Sequence, residues 1–88
     1  MVVHVDRFGN VVTNIEGSRL KAGCTLTVGE KKISRVAESY AGIPPGELGL
    51  IVGSASTVEV AANRVSAASL LGAEAGMPVR FEPRTSQE

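Results

Sequence analysis

The sequence predicts an all-β fold, a small closed or nearly closed barrel of about seven strands with one short helix. Three observations lead there. Short runs rich in Val, Ile and Thr recur along the chain, and each is bounded by Gly, Pro, Asn or Ser. The chain has only 88 residues, so curling the sheet on itself is the expected way to hide its unpaired edges. So short a chain cannot build a second core, which makes residues 1–82 one expected domain and 83–88, PRTSQE, an expected polar tail.

The first strand is expected over Val2–Val5 and the second over Val11–Ile15, joined by RFGN, in which Gly9 and Asn10 tolerate the positive φ of a tight hairpin. Thr25–Val28 and Ile33–Val36 flank the turn in VGEKK, Leu48–Val52 follows IPPG, Thr57–Ala61 follows GSAS, and Val79–Phe81 ends the series. SAASLLG, Ser66 to Gly72, breaks the pattern. It has a capping serine, helix-favouring Ala and Leu, and a glycine for the left-handed stop, so a short helix is expected there, closing one barrel end with Leu70 and Leu71.

Composition excludes several classes of function. Nine basic and nine acidic residues cancel, and the only aromatic residues are Phe8, Tyr40 and Phe81, so neither the field nor the stacking platform of a nucleic-acid binder is present. His4 is the only histidine and Cys24 the only cysteine, which leaves no metal-ligand spacing and no internal disulfide, and a reducing, cytoplasmic setting is expected. No apolar run reaches the roughly 18 residues of a membrane span. With neither disulfide nor metal to support a small core, association into an oligomer is a reasonable expectation.

Individual residues carry two readings each. Asn10 can be a turn residue and nothing more, but Phe8 puts a large apolar ring on a tight turn, where burial does not explain it. Asn14 beside Thr13 suits the satisfaction of local backbone groups. Tyr40, in ESYAGIPPG, is either packed over the rim with its hydroxyl in water or offers an aromatic face to a planar ligand. The small-residue loop GSAS, Gly53 to Ser56, is either a turn or a donor-rich cradle for an anion. Glu59 is expected on the solvated outer face of its strand, with Asn63 and Arg64 just beyond, where main-chain donors are free of a ladder. His4 reads as a strand-face residue and Cys24 as a packing or surface thiol. No nucleophile, base and orienting group fall together.

VDRFGNVVTNI at Val5 to Ile15, SYAGIPPGELGLIVGSASTVEVAANRVSAASLLG at Ser39 to Gly72, and AGMPVRFE at Ala75 to Glu82 resemble, in order and spacing, the C-terminal domain of the S-adenosyl-L-methionine (SAM) hydroxide adenosyltransferases. These SAM hydrolases are relatives of the enzymes that attack SAM with fluoride or chloride. The resemblance implies a small β-barrel that follows a larger α/β domain, in trimers whose SAM lies between the N-terminal domain of one subunit and the C-terminal domain of its neighbour. It implies substitution at the ribose C5′, giving adenosine and methionine, with SAM or adenosine as ligand and no further cofactor. It places Asp6 near the methionine ammonium, Phe8 against the adenosyl group, Asn10 on the polar edge of adenine, Tyr40 stacked on the base, Ser54 at the methionine carboxylate, and main-chain groups of Asn63 and Arg64 at the remaining adenine contacts.

Val12 stands where the fluorinating relative has tryptophan, and Ala55 follows Ser54 where it has arginine, which sets this chain closer to the hydroxide-using branch. The Asp, Arg and His that position the hydroxide belong to the family's N-terminal domain, so no catalytic residue is expected here. The expected function is a SAM- or adenosine-binding module, the C-terminal half of a SAM hydroxide adenosyltransferase, which needs an N-terminal α/β domain for catalysis and is either expressed alone, produced by cleavage, or paired with that domain in trans. The alternative is a structural or oligomerisation barrel that binds no ligand.

Overall fold

Alternating Val, Leu and Ile in short strands have one way to leave water, which is to face the same alternation on a second sheet. The computed structural model, which describes residues 1–83, resolves this into two antiparallel sheets. β1 (Val2–Val5), β2 (Val11–Glu16), β6 (Thr57–Ala62) and β5 (Leu48–Val52) form the first, in that spatial order. β4 (Lys31–Ile33), β3 (Thr25–Val28) and β7 (Val79–Glu82) form the second. Val2, Val11, Leu50, Val58 and Val60 of the first sheet share one buried cluster with Leu26, Val28 and Ile33 of the second.

The seven strands and the short helix follow the sequence; the closed or nearly closed barrel does not form. β1 and β5 remain the edges of the four-stranded sheet, and β4 and β7 those of the three-stranded one. The reason is local. At one seam Leu50 donates to the Arg35 carbonyl at 2.7 Å and accepts from the Ala37 amide at 2.9 Å. At the other, Val2 donates to Met77 at 2.8 Å and accepts from Gly76 at 2.7 Å. These isolated bonds satisfy the edge backbone where it is most enclosed, without the continuous ladder that closure requires. β4 also begins earlier than expected. A two-residue turn sets Val28 opposite Lys31, so pairing starts at Lys31 and ends at Ile33, while Val36 keeps a single bridge to Leu50.

Thr13 answers a local problem of register. Between Val12 and Glu16 strand β2 advances four residues while its partner advances two, from Glu59 to Thr57, so β2 bulges. The fully buried Thr13 hydroxyl donates to the Val58 carbonyl at 2.7 Å and accepts from the Ile15 amide at 3.2 Å, satisfying groups that the bulge removes from the ladder.

α1 (Ala67–Leu71) is capped as the sequence suggested. Ser66 accepts from the Ser69 amide at 3.1 Å, and Gly72 takes the left-handed conformation with φ 64°. Its buried contribution differs from expectation. Ala67 is fully buried and Leu71 packs on the core, while Leu70 faces solvent, since residues four apart share the inward stripe of so short a helix. The expected tail lies, beyond Pro83, outside the described residues.

Leu26 is fully buried on β3, the central strand of its sheet. Leu26→Ala is expected to lower stability by about 2–5 kcal/mol, read as a reduced urea midpoint with unchanged slope.

Candidate functional site

Strand pairing brings three loops to one end of the four-stranded sheet. Val11 opposite Val60 sets the start of β2 beside the end of β6, and Leu48 opposite Ala62 brings the start of β5 to the same place. The β1–β2 turn, the 3-10 turn Tyr40–Gly42 that precedes β5, and the segment from Ala62 to Ser66 therefore meet. Between them lies an open hollow of about 640 Å³ lined by Phe8, Asn10, Tyr40, Ala62, Arg64, Val65 and Ser66.

Each wall is fixed by its own hydrogen bonds. Asp6 Oδ1 accepts from the Phe8 amide at 2.9 Å and the Asn10 amide at 3.0 Å, and Asp6 Oδ2 accepts from Asn10 Nδ2 at 3.2 Å. Gly9, at φ 84°, lies so close to Ser66 that a Cβ would collide with that side chain, and its carbonyl accepts from Ala68 at 2.8 Å. The turn thus rests on the start of α1, and Phe8 is left 69% exposed over the hollow. Across from it, the Tyr40 hydroxyl accepts from the Arg64 amide at 2.7 Å, where Arg64 has φ 69°. Asn63 serves as a clip. Its side chain donates to the Ile43 carbonyl, its own carbonyl accepts from Gly46 at 2.8 Å, and its amide donates to Glu47 at 3.3 Å.

Of the residues singled out in the sequence, Phe8, Asn10, Tyr40 and Arg64 line the hollow; Asp6 and Asn63 shape it from behind. Ser54 sits elsewhere, in the β5–β6 turn at the far end of a hairpin whose paired length is about 13 Å. Ala62, Val65 and Ser66 line the hollow without having been singled out as ligand-facing. The sequence marks Ser66 only as the helix cap, and nothing in it sets these three residues beside the hollow. Among the described residues no group of His, Cys, Asp and Glu could hold a metal, and no helix is long and apolar enough to cross a membrane.

Residues 1–80 match the SAM hydroxide adenosyltransferase C-terminal domain. The chain belongs to this family. Among its relatives is a protein of Thermus thermophilus named (R)-S-adenosyl-L-methionine hydrolase, 39% identical over 80 residues that make up 91% of this chain and 30% of the relative. Two crystal structures are similar. An uncharacterized conserved protein from Thermotoga maritima matches with TM-score 0.79 and 30% identity, over 91% of this chain and 34% of that one. A conserved hypothetical protein from Thermus thermophilus matches with TM-score 0.78 and 39% identity, over 91% of this chain and 33% of that one. This adenosyltransferase C-terminal domain therefore spans about a third of the length of the relatives it matches.

Away from the hollow, Glu59 departs from the expected solvated position and is only 8% exposed. It lies on the central strand β6, opposite Val12 and Ile51, and its carboxyl packs so closely on Gly53 that a Cβ there would collide with it. Burial first, and the negative charge of Asp6 second, hold its carboxyl above the ordinary value of 4.5, with His4 opposing. The folded state therefore holds this proton more tightly than the unfolded chain. The stability that protonated Glu59 contributes is complete below pH 4.5 and is lost as pH rises through the raised folded value. Glu59→Gln is expected to flatten this fall, seen as a smaller decline of Tm as pH is raised from below 4.5 than in the parent protein.

Proposed function

We propose that this chain is a SAM- or adenosine-binding module, the C-terminal half of a SAM hydroxide adenosyltransferase that converts SAM and water to adenosine and L-methionine. The observation that carries the reading is the convergence of Phe8, Asn10 and Tyr40 on one hollow, in a chain 39% identical over its match to a relative named as a SAM hydrolase. Two aromatic rings offer faces to a purine, and the Asn10 amide offers both an acceptor and a donor to its edge. Asp6 and Asn63 shape these walls, and the main chain at Arg64 borders them. Ser54 is left out of this pocket because of its distance along the hairpin.

Catalysis is assigned to an N-terminal α/β domain, from the same or a neighbouring subunit of a trimer. In the reaction the C5′–S bond breaks with its electron pair returning to sulfur, a C5′–O bond forms, and the attacking water must lose a proton. Among the described residues the lining of the hollow includes neither a carboxylate nor a histidine, and the proposal gives the proton acceptor to the N-terminal domain. The exposure of Phe8, Tyr40 and Val65 at the rim agrees with a missing second wall.

Titration with adenosine and SAM, followed by amide chemical shifts, is expected to give weak binding, about millimolar, with changes grouped at Asn10, Tyr40 and residues 62–66. Silence at those positions would return the domain to a purely structural role. The purified chain is also expected to release no adenosine from SAM; release that Asn10→Ala abolishes would place catalysis in this domain itself.

A further inference from the structure

The edges of the two sheets are protected unequally. Leu50 of β5 is bonded to Arg35 and Ala37, and Val2 of β1 to Gly76 and Met77, beside a bulge in β1. β4 is three residues long and carries Lys31 and Lys32, so a copy of itself laid against it sets lysine against lysine. β7 has neither safeguard along Val79–Glu82. Val28 and Lys31 close a two-residue turn and so exchange main-chain hydrogen bonds. Alternation then turns the main-chain groups of Thr27 and Thr25 toward β7, where they meet Arg80 and Glu82. Val79 and Phe81 direct their amides and carbonyls away from the sheet, and among the described residues nothing bonds to them.

We propose that the free edge of β7 is an interaction surface whose partner is β7 of a second copy of this chain, paired antiparallel about a two-fold axis at Phe81. Phe81 and its counterpart exchange two hydrogen bonds, and the Val79 amide donates to the Pro83 carbonyl of the other copy. Pro83 has no N–H, which ends the ladder there. The charges complement themselves. Arg80 and Glu82 flank the axis on the exposed face, so each Arg80 stands opposite the other copy's Glu82. These are the non-hydrogen-bonded positions, where opposed residues come closest, at about 4.5 Å between Cα atoms. Within one copy the two charged groups are 4.0 Å apart on side chains 79% and 50% exposed, a surface pair that contributes little and is free to exchange partners. On the inner face the half-buried Phe81, which carries the Arg19 guanidinium 4.8 Å above its ring, meets its counterpart, and Val79 meets Pro83. No residue of β7 lines the hollow, so the inference is independent of the adenosine site.

Sedimentation equilibrium of the chain at concentrations up to about 1 mM is expected to show monomer and dimer in exchange, with association weakening as salt is raised. Arg80→Glu sets glutamate against glutamate at both cross-strand pairs, and Glu82→Arg sets arginine against arginine. Each single variant is expected to weaken association about tenfold, and the double variant Arg80→Glu/Glu82→Arg to return it to within about threefold of the parent. In a mixture of labelled and unlabelled parent protein, a filtered NOE is expected between Phe81 and its counterpart. A chain that stays monomeric at about 1 mM overturns the inference. So does association that survives either single change, or that the double change fails to restore, because another face then carries it. Should a variant fail to fold, the NOE in the parent dimer decides, and its absence overturns the inference.

Discussion

Strand β6 is paired on both sides, with β2 on one flank across a bulge and β5 on the other, and the arrangement of the rim follows from that. Val58 and Val60 drive the pairing by burying completely against the second sheet, and burial of that kind contributes about 1.5–3 kcal/mol for each large apolar side chain. The registers then leave no freedom in where the neighbouring chain segments emerge. A one-residue slip on either side of β6 would turn core residues outward and would also move the Asn10 turn or the Tyr40 turn away from Arg64. Core and site are thus specified by the same set of backbone hydrogen bonds.

The rim is held in place by its own hydrogen bonds. Asp6, Asn63 and the Tyr40 hydroxyl each hold a main-chain or side-chain group in place, so the aromatic rings stand on anchored loops. The left-handed Arg64 costs something for a residue with a Cβ, and the Tyr40 bond to its amide helps to offset this.

Much of the fold was legible because its signals are local. β-branched runs between turn residues marked every strand but β4, whose run at Ile33–Val36 meets it only at Ile33, and Ser66 and Gly72 marked both ends of the helix through caps that act within a few residues. Closure was not legible, because it depends on whether edge backbone groups far apart in sequence form a ladder or a single bridge, and side-chain alternation is the same in both cases. Glu59 shows the same limit. Alternation correctly set it on the face opposite Val58 and Val60, but alternation cannot report that this face is itself enclosed by Val12, Ile51 and Gly53. At the site, the ring of Phe8 on a tight turn was a visible anomaly, whereas the position of Ser54 at the other end of the hairpin required the register of β5 against β6.

The contact between Gly53 and the Glu59 carboxyl makes these two positions a single unit of volume. A side chain gained at Gly53 would displace the end of the flexible Glu59 side chain, so the two positions, six residues apart in sequence, share one space. Swinging the acid aside to admit bulk in the loop would move its carboxyl out of the enclosed face, and with it the burial that raises its hold on a proton.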